Sequence, residues 1–435
     1  MPKTITFRRG LSSMLFWSII SAAFIGPGTV TAAAQAGAGF QLQLLWALAF
    51  STAAAIVLQE AAARVTLASG KSLGEIIAWQ YAGRRGRGLC WGLFLAVAFG
   101  CAAYQAGNLL GAAAGLGLLS GLPQRALVLA AGLLAILVLW QGNVQVIGRL
   151  LAGVVAVMGI AFLSMATQQK DYTIGLIASA AWQPSIPEGG LFLALGLIGT
   201  TIVPYNLFLA SGISRGQSVG EMRWGVGLAV AIGGLISMAI LLAGTQVDGA
   251  FSFAALAGAM EAKLGGWGAV LLALGLFAAG ISSAVTAPLA AAITARALLG
   301  AGGSQWESKR GRFRLVWGIV LGAGLLFGLL DVKPIPAIIA AQAINGLLLP
   351  AVAAFLILAV NDRRLIPAAY RNGLPSNLLS LAIVGLSGFL GLSNVWKALS
   401  SFLPGLSQAL FLPVAIPLCL LLVGWLGWRA LGQQD

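Results

Sequence analysis

The sequence predicts an all-α polytopic membrane protein, and three observations predict it. Of its 435 residues, 59% are hydrophobic and only 8% are charged, whereas a soluble domain carries about 25% charged residues. Apolar runs long enough for a helix to cross a bilayer recur along the whole chain. The basic residues gather between those runs and at their ends, where membrane topology requires them. A membrane β-barrel would instead show alternating segments of about 10 residues. The net charge of +14 is therefore a topological signal and not a nucleic-acid footprint.

In order, the predicted spans are 15–38, 42–66, 89–118, 124–141, 148–167, 190–212, 224–246, 267–299, 314–331, 335–360, 376–395 and 407–428. An even number of spans puts both termini on one side. That side collects Lys3, Arg8, Arg9, Arg84, Arg85, Arg87, Arg215, Arg312, Arg363 and Arg364, among others. The opposite side keeps Arg125, Lys170, Lys263, Lys333 and Lys397. The imbalance places both termini in the cytoplasm and the chain in a cell (inner) membrane.

The first span contains Ile25-Gly26-Pro27-Gly28-Thr29. Pro27 removes a backbone donor and clashes with the preceding turn, and the flanking glycines ease unwinding. Backbone freed in this way is tolerated in a membrane only inside protein or beside a water-filled cavity. The stretch from Lys3 to Ile25 has the form of a secretory leader, but cleavage there would destroy this break, so the segment is read as retained. The second span carries Glu60 and Arg64 at i, i+4, read as a cytoplasmic gate or structural ion pair, with a coupling role as the alternative. The third has Gly107, Gly111 and Gly115 on one face, a pattern for close helix packing. The sixth runs Gly199-Thr200-Thr201-Ile202-Val203-Pro204-Tyr205-Asn206 and should break at Pro204. The eighth offers Ser282, Ser283 and Thr286, and the tenth Gln342 and Asn345. Tryptophans such as Trp17, Trp91 and Trp396 lie near segment ends and read as interfacial anchors. Cys90, Cys101 and Cys419 are scattered, histidine is absent, and neither a disulfide framework nor a metal cluster is indicated.

The two interrupted segments stand five helices apart. The second set of five therefore has inverted topology, and two such breaks in corresponding places point to a transporter site. The chain divides into a first repeat (1–168), an inverted second repeat (189–360), and two extra C-terminal helices with a tail (361–435).

These motifs resemble the Nramp family of metal-ion transporters, which share the leucine-transporter fold. Gly26-Pro27-Gly28-Thr29 stands where the family has Asp-Pro-Gly-Asn. Gly199 to Ala210 is similar to its sixth helix, and Leu58 to Lys71, Gly280 to Thr286 and Gln342 to Pro350 to its second, eighth and tenth. The resemblance implies transport by alternating access rather than enzymatic catalysis. It also shows departures. The family's metal ligands are Asp and Asn of the first break and Met of the second; Gly26, Thr29 and Val203 occupy those places. Tyr205 and Ala210 replace its helix-six histidines, and Gln105 and Asn108 stand at its acidic pair. The chain reads as a divergent branch.

A divalent ion needs counter-charge at the midplane, whereas two helix N-termini favour an anion. The first expectation is therefore a small anion such as bicarbonate, bound by Gly26, Gly28, Thr29, Val30, Thr201, Val203, Tyr205, Asn206 and Gln342. The N–H groups of Thr29, Val30, Tyr205 and Asn206 are expected to be free. Coupling is to sodium, placed between the Phe24 and Ile25 carbonyls and Ser282, Ser283 and Thr286; no other cofactor is expected. The alternatives are a divalent metal cation of the Mn or Mg type with altered ligands, and an amino acid or neutral solute. The partners expected are the ion and the bilayer, with the protein a monomer.

Overall fold

A computed structural model describes residues 25–141, 144–169, 171–300, 304–307, 311–330, 332–402 and 410–431. They form sixteen α-helices joined by short turns, with no strand among the described residues. Eleven helical stretches are long and apolar enough to cross a bilayer. The count of twelve differs because Pro27–Ser69 forms one such stretch and residues 1–24, including Trp17 and Phe24, lie outside the described residues.

The first predicted break is described only from Ile25 onward. α1 (Pro27–Phe40) begins at Pro27, with Gly26 extended before it. Proline suits this first turn because its missing N–H is one that no helix start satisfies internally. The half-helix thus starts two residues earlier than a break after Gly28 would place it. A 3-10 turn (Gln41–Leu44) follows, with Gln41 at φ 52°, and leads into α2 (Leu45–Ser69). The loop after α2 holds a short helix, α3 (Leu73–Gln80), capped by Ser72 and Glu75.

α4 (Arg84–Ser120) and α12 (Trp267–Leu299) are the longest helices and form the most extensive pair. The glycine face of α4 makes this possible. A Cβ at Gly115 would lie 2.6 Å from the Ala273 carbonyl oxygen, and one at Gly111 would overlap Pro27. Gly107 meets Ile338 at ordinary distance, so two of the three glycines are sterically required.

α5 (Gln124–Gln141) and α6 (Val144–Thr167) complete the first half. A short α7 (Ile174–Trp182) precedes the second interruption. That segment splits into α8 (Leu191–Thr201) and α9 (Pro204–Ile213), with Ile202 and Val203 non-helical between them. α10 (Val219–Gly244), α11 (Phe253–Leu264), α13 (Gly311–Leu329) and α14 (Pro334–Val360) complete the second half. α15 (Leu374–Phe402) and α16 (Phe411–Leu431) pack on each other and on α14. α1 lies against α10, α14, α8 and α4, so its start at Pro27 and the Ile202–Val203 break both fall in the buried centre.

Candidate functional site

Both half-helices start at a proline. Gly26 accepts from the N–H groups of Thr29 (3.1 Å) and Val30 (3.2 Å), and Val203 accepts from that of Asn206 (2.9 Å). Three of the four N–H groups expected to be free are thus used by the turns themselves. The reason is geometric: with Pro27 and Pro204 as first residues, the next donors already reach the carbonyls before them.

The side chains join the two segments instead. The hydroxyls of Thr29 and Thr200 meet at 2.8 Å. The Tyr104 hydroxyl from α4 lies 3.3 Å from Thr200 Oγ1 and 3.4 Å from its carbonyl oxygen. Gln342 from α14 lies beside them, its amide packed on Gly28 where a Cβ would overlap it. First break, second segment and α4 are thereby tied by neutral polar contacts. Thr201 donates to Leu197 O at 3.0 Å, a bond within its own helix. Thr200 was missed by sequence reasoning, although it adjoins the break. Tyr104 was missed too, although it shares helical spacing with Asn108 and Gly111.

Ser283 is the α12 hydroxyl brought to the first break. A Cβ on Gly26 would lie 2.9 Å from Ser283 Oγ and 3.9 Å from Asn108 Oδ1. Thr286 instead donates to the Ser283 carbonyl at 3.4 Å, a bond within its own helix, and Ser282 is buried nearby in sequence. Ile25 is buried; Phe24 lies outside the described residues.

Several polar atoms here are buried without a hydrogen-bond partner: Ser283 Oγ, Asn108 Nδ2, Tyr205 OH, Gln342 Oε1 and both amide atoms of Asn206. Such orphans cost about 1–3 kcal/mol each, and buried groups left unpaired in a protein call for an explanation such as an absent ion or water. Tyr205 packs edge-on against Tyr104, ring centroids 5.7 Å apart. Val30 and Val203 are fully buried and supply apolar walls. No carboxylate, lysine or arginine belongs to this set. Among the described residues no three His, Cys, Asp or Glu side chains gather as a metal site. The arrangement can hold a small ligand by neutral oxygens and amide donors.

Glu60 and Arg64 lie apart from this centre and form the expected ion pair, at 2.9 Å. Arg64 also donates to Asn372 Oδ1 (2.7 Å) and to the Tyr370 carbonyl, and Arg223 of α10 pairs with Glu60 at 2.8 Å. The pair thus clamps α2 to α10 and to the turn after α14.

A profile of the Nramp family (natural resistance-associated macrophage protein-like) matches residues 18–397. Two curated Klebsiella pneumoniae proteins named divalent metal cation transporter MntH are each 28% identical over 290 residues, covering 61% of this chain and 67% of theirs. The fold is similar to that of the Eremococcus coleocola manganese transporter, with TM-score 0.74 at 20% identity, covering 100% of this chain and 97% of the other. It is also similar to the inward-facing conformation of Mhp1, with TM-score 0.54 at 16% identity, covering 96% and 90%.

Proposed function

The chain belongs to the Nramp family, and from that membership we propose that it carries a small inorganic ion across the cell membrane by alternating access. The observation that carries this reading is the meeting of the Pro27 helix start and the Ile202–Val203 break at a buried centre whose polar atoms lack partners. Such breaks are where secondary transporters bind their cargo.

Within that reading the cargo is a divalent cation of the Mg or Mn class. The names of the Klebsiella relatives and of the Eremococcus structure support it; nothing in the comparisons supports the anion expected first from the sequence. The centre offers Ser283 Oγ, Gln342 Oε1, Asn206 Oδ1, Tyr205 OH and break carbonyls as ligands. Hard cations take neutral oxygen, and Mg²⁺ keeps several of its waters. With no carboxylate present, a fully dehydrated divalent ion would be too costly, so the cation binds partly hydrated. Gly26, Gly28 and Thr29 provide the close backbone, and Val30, Thr201 and Val203 shape the wall.

One observation favours a second reading, an anion such as bicarbonate driven by sodium. Asn108 Nδ2 and Asn206 Nδ2 are buried donors without acceptors, and no fixed negative charge stands against an anion. Ser283 Oγ then faces sodium with the first-break carbonyls. The use of three N–H groups by the turns weakens this reading.

The deciding experiment uses purified protein, taken to act as a monomer, in liposomes. Entrapped fluorophores report Mn²⁺ and Mg²⁺ entry, and labelled bicarbonate is followed with and without an inward sodium gradient. Saturable cation entry lost in Asn206→Leu supports the first reading. Sodium-stimulated bicarbonate uptake without cation entry replaces it with the second. Neither activity, in protein shown to be folded, overturns both.

A further inference from the structure

A cavity of about 190 Å³ lies where α3, the turn after α14 and the end of α16 converge. It is lined by Gln80, Tyr81, Asp362, Arg364, Trp425 and Arg429, with Leu358 behind them. The pattern of basic residues places this end of the molecule at the cytoplasmic membrane surface.

The charges in it are unequally engaged. Asp362 accepts from Arg364 at 2.8 and 3.0 Å and from Gln80 at 2.7 Å, so its carboxylate is matched by Arg364. Arg429 is exposed and stacks on the rings of Trp425 and Trp428, 5.8 and 5.6 Å from their centroids. It has no carboxylate partner among the described residues. Along the face of α16 that carries Arg429, Leu418, Leu421, Trp425 and Trp428 are exposed. A guanidinium with no carboxylate partner among the described residues therefore stands above an apolar, bilayer-facing strip. Basic pockets between helices on the cytoplasmic side take anionic headgroups, and guanidinium groups bind phosphate oxygens in pairs.

We propose that this cavity binds the phosphate of an anionic phospholipid, held by Arg429 with Arg364 and Tyr81 beside it, its acyl chains lying along α16. The site is independent of the cargo reading.

Native mass spectrometry of the full chain in detergent tests it. The probes are phosphatidylglycerol, phosphatidylcholine of the same chains, and inorganic phosphate. The expected result is retained phosphatidylglycerol in excess of phosphatidylcholine, reduced about fivefold by Arg429→Gln. Arg314→Gln is the matched control. It removes another arginine stacked on a tryptophan, 4.3 Å from the Trp140 centroid, that does not line this cavity, and it should leave the adducts unchanged. Equal loss in Arg314→Gln, or no preference for phosphatidylglycerol, would mean diffuse surface charge and overturn the site. Displacement of the lipid by inorganic phosphate at matched concentration would overturn the lipid as its occupant.

Discussion

Ser283 Oγ faces Gly26 so closely that a Cβ on residue 26 would lie 2.9 Å from it, while Ser283 Cβ would be 3.7 Å away, an ordinary contact. The crowding comes from the hydroxyl alone, which can rotate about its Cα–Cβ bond. Gly26→Ala should therefore destabilise modestly, by about 1 kcal/mol, through overpacking. Adding Ser283→Ala should restore most of that in a thermal-shift assay. Ion uptake should stay low in the double variant, because the rescue removes a proposed ligand. Failure of Ser283→Ala to rescue would place the strain elsewhere.

The Thr29–Thr200 pair, at 2.8 Å, joins the two interruptions. Thr29→Val or Thr200→Val leaves the other hydroxyl buried with one partner fewer, at a cost of about 1–3 kcal/mol. Replacing both should cost less than the sum of the single losses, because contacting residues couple. A double-mutant cycle on melting temperature measures that coupling. Additive losses would argue against a direct bond.

Asn206 carries two buried amide atoms with no partner. Asn206→Leu removes that desolvation penalty in a side chain of similar volume. The variant should melt at the same or a higher temperature and lose transport, the exchange of stability for activity expected at a binding site. A sharp fall in melting temperature would make the amide structural.

The Pro204 break and the helix start at Pro27 were legible because proline and glycine punctuate an apolar helix with few alternatives. The glycine face of α4 was legible too, since Gly111 and Gly115 sit where Pro27 and the α12 backbone press in. What the sequence could not give was which hydroxyl turns inward. Thr200 faces the centre while Thr201, one residue on, bonds back to Leu197. A 100° step along a helix decides this, and composition carries no record of it. Nor could free N–H groups be read, since their use depends on where each half-helix starts.

Arg64 and Arg223 share Glu60 but differ in setting. Arg64 is 4% exposed and also holds Tyr370 O and Asn372, whereas the Arg223 side chain is 56% exposed. Arg64→Gln should cost about 3–5 kcal/mol, as breaking a buried charge network does. Arg223→Gln should cost at most about 1 kcal/mol. The order of the two melting temperatures checks this, and equal effects would contradict the burial difference.

Glu75 and Arg215 pair at 2.9 Å on the wall of a cavity of about 570 Å³ between α3, the end of α9 and α12. Burial alone raises the Glu75 carboxyl, but hydrogen bonds from Ser72 and the Arg215 charge outweigh it and hold it below the usual carboxylate range. A depressed folded value means stability that is present above the unfolded pKa of about 4.3 and lost as pH falls through the folded value. Both side chains are roughly half exposed, so the contribution is at most about 1 kcal/mol. The difference in melting temperature between the parent and Glu75→Gln should therefore be constant from about pH 6 to 8 and close below about pH 4. A difference that instead grew on acidification would mean that Glu75 is protonated where it works, with burial and not Arg215 controlling it.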